Sequence, residues 1–489
     1  MEVKYYFSRL PKTLQHLFSC SCHRLGCLSS SIYCRMACWF RVLLCRVNSF
    51  QVELVYFVSV SFLGFGFLKA LKPKTYPSFK PRDLDFFFTS VSATTVSSMS
   101  TVEMEVFSNS QLIVLTVLMF IGGEVFTSMA GLFLSRFRAK MLPNVEEKVA
   151  SVLSSRSSST NNDIELGEVS VTVTARGTNK SVSANPESEN MSFPCRKNMW
   201  SSDVRDPNLV YNSKKLLSYV VLGYLMVVQT AGTALVYVYM AVVSSARDVL
   251  RNKNLNLLTF SAFTTVSTFV NCGFIPTNEN MMVFSKNSGL LLILIPQALV
   301  GNTLFPPCLR VFTWLVGKLA VKSPKSRYYV DFLLENTKEI GYLHLFPSRQ
   351  SWFLVETMVG LVVIQWAMLV VMEWSSAAFG GLNSYQKIIG GIFQSVNSRH
   401  SGETIMDISV ISPAILVLFV VTIAYGNVGF TAGYSCKRRL NPDGYCEDKW
   451  YGFAGRWSDD GKIILILVMI FGRLKKFNMN GGKAWRNLS

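Results

Sequence analysis

Residues 257–274 read LLTFSAFTTVSTFVNCGF. The stretch is apolar enough to enter a membrane, yet it is rich in Ser and Thr, too short to cross, and closes on small residues. Two further segments share this character: 84–100, LDFFFTSVSATTVSSMS, and 385–402, YQKIIGGIFQSVNSRHSG. Irregular backbone at membrane depth is tolerated only where it is buried in protein or lines a cavity. A single such segment would read as an amphipathic surface helix. Its recurrence points instead to re-entrant loops, each a half-helix that descends and an extended filter that climbs back.

The flanking sequence supplies the spans. Segments 54–68 and 106–123 carry no charge, and 216–243, 287–309 and 351–372 carry at most one charged residue each. Runs of about 20 apolar residues match a hydrocarbon core about 30 Å thick. Spans are therefore expected at about 50–71, 110–136, 216–243, 288–317 and 351–374, with shorter apolar stretches at 411–423 and 462–472. Only 16% of the 489 residues are charged, against about 25% for an average soluble chain. The chain reads as an all-α integral membrane protein.

The charges that remain are sorted. The formal net charge is +18, and the basic residues gather in the N-terminal arm, in 138–215, in 318–349 and after Gly472. Loops on the cytoplasmic side are enriched in Lys and Arg. These four regions are expected in the cytoplasm, with the N-terminus there too, and the basicity does not call for nucleic acid as a partner. Six of the eleven cysteines (Cys20, Cys22, Cys27, Cys34, Cys38, Cys45) lie in the arm, where with His23 their spacing fits no standard zinc finger. Free or lipidated thiols are expected there, whereas Cys436 and Cys446 fall in an expected external loop and could pair. The other histidines (His16, His344, His400) are scattered, and no Walker loop or dinucleotide fingerprint occurs. No enzyme chemistry, metal or cofactor is expected.

The spans repeat as well. Ser98 is followed eight residues on by Val106-Phe107-Ser108, and Gly273 ten residues on by Val283-Phe284-Ser285. The spans after each carry a Gly-centred step, IGGEVF at 121–126 and VGNTLF at 300–305, with FGRLKK at 471–476 as a third. Aligning these glycines puts Gly123, Asn302 and Arg473 at one depth. The repeating unit is span, re-entrant loop, span, arranged around a central ion pore. It divides the chain into a basic arm (1–49), a first unit (50–137), a Ser/Asn/Thr-rich linker (138–213), a second unit (214–318), a cytoplasmic loop (319–350), a truncated third unit (351–424) and the remnant of a fourth (425–489).

A selective cation pore needs oxygen ligands in place of the hydration shell, and backbone carbonyls supply them. Glycine is favoured there because it adopts positive φ freely. The candidates are Gly273 in NCGF, Gly402 in RHSGE and Gly429 in NVGF, and in the first loop Ser98 holds the equivalent place. The Cβ of Ser98 disfavours that backbone and breaks the symmetry of the ring. Read without a family register, Ser98 is one serine in a serine-rich loop.

TSVSATTVSSMSTVEMEVFS, FTTVSTFVNCGFIPTNENM, LIPQALVGNTLFPP, FQSVNSRHSGETIMDIS, YGNVGFTAGYSC and GFAGRW together resemble the plant high-affinity potassium transporter (HKT) family, within the Trk/Ktr/HKT superfamily. The resemblance covers most of the chain from about residue 50. It implies four span–pore-helix–span units around one ion path, a plasma-membrane homodimer, and gradient-driven passage of monovalent cations through a filter of Ser98, Gly273, Gly402 and Gly429. Serine in the first position resembles the sodium-preferring subclass; glycine there would imply Na⁺–K⁺ cotransport. The resemblance also puts Arg473 on a pore-lining last helix, where it would act as a barrier to cations. Read alone, Arg473 equally suits a positive-inside stop beside Lys475 and Lys476, and Glu124 its partner or a packing residue. Glu356 and Glu373 are expected at the membrane interface.

One feature departs from the family. Gly402 and Gly429 are 27 positions apart, joined by a single apolar run. Family members place two spans and a pore helix there. Counting 408–424 as a span gives seven spans and leaves the basic tail outside; counting it as re-entrant gives six and returns the tail to the cytoplasm. The shortened wall predicts impaired or absent conduction unless a partner chain completes it. A non-conducting isoform that regulates a full-length transporter is the alternative. A seven-span receptor would have no need of the repeated filter loops.

Overall fold

The structure is a computed structural model that describes residues 49–75, 79–136, 207–319, 324–426 and 451–478. The described residues form helices and connecting turns, with no strand among them. The fold is all-α and built from repeats. In the first unit, α1 (Ser49–Ala70) is a span, α2 (Asp83–Thr95) a short buried helix, and α3 (Asn109–Gly122) with α4 (Glu124–Arg136) a second span. The second unit repeats this with α5 (Pro207–Val242), the connecting α6 (Ser244–Asn252), the short α7 (Leu257–Val270), and α8 (Ser288–Gly301) with α9 (Phe305–Leu319). The segment α10 (Pro324–Glu335) and α11 (Thr337–Ile340) leads into the third unit, which has α12 (Ser348–Glu373), the short α13 (Ser384–Asn397) and α14 (Pro413–Gly426). Of the fourth, α15 (Asp459–Asn478) is described.

Three helices, α1, α5 and α12, are long and apolar enough to cross a membrane, and the pairs α3/α4 and α8/α9 raise the number to five. Each pair passes as a span only when joined, because the chain bends by 56° at Gly123 and by 86° at Asn302–Leu304. These breaks fall on the Gly-centred steps of the sequence. The described part of α14 is 14 residues long.

The short helices α2, α7 and α13 are the re-entrant half-helices expected at 84–100, 257–274 and 385–402. Part of the cost of burying their polar residues is offset because several hydroxyls bond back into their own helix, while Thr264, Thr265 and Ser267 of α7 have no hydrogen-bond partner among the described residues. Thr89, Thr94 and Thr95 donate to the carbonyls of Asp85, Ser90 and Val91, and Ser261 and Ser395 do likewise to Leu257 and Gly391. Their starts are also fixed locally: Asn256 accepts from the Leu258 and Thr259 amides, and the Asn383 amide donates to Gln386 Oε1.

Packing follows a cyclic rule. Each short helix lies against the first span of its own unit and against the second span of the unit before it: α7 on α3, α13 on α8, and α2 on α15. The fourth unit's span therefore closes onto the first unit, and α14 packs on α12 within the third. By this rule α14 would receive a fourth short helix, and among the described residues there is none. On the face away from the filter loops, Val125, Met129, Leu309, Leu333, Tyr342 and Leu345 form a second core that joins α4, α9, α10 and residues 341–345.

Glu373, at the end of α12, is buried, and its carboxylate accepts from the Ser412 amide at 2.8 Å, which ties the end of α12 to the start of α14. Glu356 is exposed on α12.

Candidate selectivity filter

The loops that leave α2, α7 and α13 meet at one point. Ser98, Gly273 and Gly402 all have positive φ, at 61°, 73° and 79°. The first two loops are built alike: a left-handed cap (Val96, Asn271), one residue, then the left-handed filter position. The residue between them donates back to the helix, Ser97 to Ser92 O and Cys272 to Ser267 O, both at 2.9 Å. The third loop is two residues longer, and there Gly402 itself donates to Asn397 O at 2.8 Å.

These loops touch one another. A Cβ on Gly273 would stand 2.0 Å from the Ser401 carbonyl oxygen and 3.4 Å from Ser98 Oγ. Glycine is required at 273 twice over, by its φ and by this approach. Ser98 Oγ donates to the Cys272 carbonyl oxygen. Ser98 therefore takes the left-handed backbone despite its Cβ, at about 1–2 kcal/mol, and its hydroxyl hydrogen bond offsets part of that. Gly429 lies outside the described residues. From the fourth unit, Tyr451 and Gly452 line the same open cavity as Ser98, Gly273, Gly402, Glu103 and Asn278.

Around this mouth the charges are paired across units. Lys253 binds Glu105 and Glu279, the latter at 2.6 Å, while Asn278 Nδ2 donates to Glu103 Oε2 at 3.1 Å. Burial alone would lower the Lys253 ammonium, but the hydrogen bonds and charges of Glu105 and Glu279 prevail and hold it above the usual lysine value.

Behind the filter lie residues that sequence reasoning passed over. His400 is buried, with Nδ1 2.7 Å from Val396 O and Nε2 2.9 Å from Thr303 Oγ1, so it spans from the third loop to the break after α8. Glu403, next to Gly402, is fully buried and accepts from Thr268 Oγ1 of α7 at 2.6 Å. The signal was present: an acid directly follows a filter glycine, where the first two loops have Met99 and Phe274.

Below the filter, Gly122 and Gly301 hold equivalent places. A Cβ on Gly122 would stand 1.9 Å from Thr94 O, and one on Gly301 would stand 1.8 Å from Phe269 O. Each second span thus touches the C-terminal carbonyls of its own short helix. The aligned Gly472 is exposed, with no described atom within 4 Å. Arg473, beside it, donates through Nη2 to Gly122 O at 2.5 Å and lies 5.8 Å from the centre of the Phe57 ring. Glu124 acts electrostatically on Arg473 and lies 3.9 Å from His344. The fourth unit is held to the first by a buried ion pair, Lys462 Nζ to Asp85 Oδ1 at 2.8 Å, with Arg82–Asp459 at 3.0 Å beside it.

Comparison with known proteins agrees with this architecture. The TrkH family, described as Cation transport protein, matches residues 195–446. Cation transporter HKT1;3 of Oryza sativa subsp. japonica is 41% identical over 512 aligned positions, covering 90% of this chain and 91% of its own length. Sodium transporter HKT1 of Arabidopsis thaliana is 39% identical, covering 86% and 91%. The first alignment is longer than the chain, so that relative carries residues this chain lacks. The solved potassium transporter TrkH of Vibrio parahaemolyticus is similar with a TM-score of 0.44 and 14% identity, over 88% of this chain and 84% of its own. With repeated short helices, left-handed filter loops and relatives aligned along nine-tenths of its length, the chain belongs to the HKT family of membrane cation transporters.

Proposed function

We propose that the chain passes monovalent cations, Na⁺ in preference to K⁺, down their gradient across the plasma membrane, through a filter of Ser98, Gly273, Gly402 and Gly429. The observation that carries this reading is the hydrogen bond from Ser98 Oγ to the Cys272 carbonyl. It engages one carbonyl of the second loop and sets a hydroxyl where a first-position glycine would leave space. A narrower ring with fewer free carbonyls suits the smaller ion. A glycine there, and Na⁺–K⁺ cotransport with it, is the reading that this bond disfavours. Arg473 serves as the barrier below the filter: a guanidinium held at the Gly122 carbonyl repels cations at that depth. The N-terminus is cytoplasmic, the chain works as a homodimer in the bilayer, and no resident cofactor takes part.

A specific observation favours a second reading. Gly402 and Gly429 are 27 positions apart, where the family resemblance implies two spans and a pore helix. A wall shortened there suits a form that conducts poorly by itself and acts on a full-length relative. Flux of radioactive Na⁺ and of Rb⁺, a tracer for K⁺, into vesicles holding the purified chain separates the two. Na⁺ uptake exceeding Rb⁺ uptake supports the transporter. No uptake by the chain, with suppression of uptake when it is mixed with a full-length relative, supports the second reading.

A further inference from the structure

Glu403 presents an unbalanced charge directly behind the filter. It is fully buried, and one carboxylate oxygen accepts from Thr268 Oγ1 at 2.6 Å. The other oxygen, Oε2, is buried with no hydrogen-bond partner among the described residues, and no basic side chain forms an ion pair with Glu403 among them. The Ser401 hydroxyl also acts on this carboxylate, but burial without a counter-charge among the described residues disfavours the ionised form. The preceding residue, Gly402, lines the candidate filter cavity, one position along the chain from this carboxylate. The donor also matters: Thr268 lies near the end of α7, five residues before Gly273. Resting on the filter reading above, we propose that Glu403 is a positioning and charge-balancing residue of the cation site. Its carboxylate is neutralised by the monovalent cation in the filter, and Thr268 holds it in place. The first and second loops carry Met99 and Phe274 at this position, so the charge is supplied from one side of the ring only.

The test is thermal unfolding of the full chain in detergent, titrated with NaCl, KCl or N-methylglucamine chloride, whose cation is too large for the filter. The parent should be stabilised by the small cations beyond the large one. Glu403→Gln keeps size and acceptor but removes the charge. It should match or exceed the parent in N-methylglucamine, because a buried unpaired charge is gone. Its half-saturating Na⁺ concentration should rise by on the order of tenfold, the effect of one charge acting on a nearby cation through protein. Thr268→Val should also raise the half-saturating concentration, and Thr268→Ser should restore it; this pair decides the matter if Glu403→Gln does not fold. Equal loss of stability by Glu403→Gln in all three salts would reduce Glu403 to a structural tie and overturn the proposal. Behaviour identical to the parent in every salt would show an uncharged group and overturn it too. A parent that responds alike to all three cations would overturn the filter reading together with this one.

Discussion

Ser98, Gly273 and Gly402 share one backbone conformation on a serine and two glycines and on loops of two lengths. Glycine adopts it freely; serine holds it through its bond to Cys272 O. Gly273→Ala should be among the most damaging single-methyl additions, through about 1–2 kcal/mol of left-handed strain and contact with the Ser401 carbonyl. We expect a folded protein with a lowered unfolding temperature and no discrimination between Na⁺ and Rb⁺ in vesicle flux; flux equal to the parent would show that 273 lies outside the filter. The glycines at 273 and 402 were legible because small residues closing a Ser/Thr-rich half-helix are a local pattern. Ser98 was legible only through the family register, since its neighbours Ser97 and Ser100 are chemically the same. The contacts of Glu403, His400 and Lys253 were not legible. Their partners lie 135, 97 and 148 positions away in sequence, and no periodicity encodes such pairs.

At the level of elements, the glycine steps decide how closely spans approach short helices. Gly122→Ala and Gly301→Ala each drive a methyl into a backbone carbonyl and should destabilise by about 1–3 kcal/mol as overpacking does. Gly472→Ala, on an exposed position, should stay within about 0.5 kcal/mol. Thermal unfolding of the three variants checks this, and equal losses in all three would contradict the difference between Gly472 and the two packed glycines. The docking of α15 rests on the buried pair Asp85–Lys462. Asp85→Ala leaves a buried ammonium and should lose about 3–5 kcal/mol; combining it with Lys462→Met should recover most of the loss. A double variant no better than Asp85→Ala would show that the pair does not hold α15. The spans and half-helices were readable from apolar length and repetition. Their bends were not, because 56° and 86° are set by what packs under the break, the Tyr342–Leu345 segment above all. Nor was the Asp85–Lys462 pair, which sequence reading left inside apolar runs.

Across the whole molecule, each short helix lies against the preceding unit's second span, and the rule holds for α7, α13 and α2. It orders the units as a ring and places the irregularity between the third and fourth. The 27-residue interval between Gly402 and Gly429 puts the shortened connection between the third and fourth units, in residues that lie partly outside the described ones. It could not foretell that α15 would still find its place on α1 and α2, since that depends on side chains 377 positions apart. A fourth-unit span seated on the first unit keeps Tyr451 and Gly452 at the cavity that Ser98, Gly273 and Gly402 line. The most direct test is two-electrode recording in oocytes, in Na⁺ and then K⁺ baths, for this chain and for Ser98→Gly, with surface protein measured in both. A Na⁺-selective current that gains K⁺ permeability in Ser98→Gly is the predicted result. Silence from both chains, with protein at the surface, would contradict it.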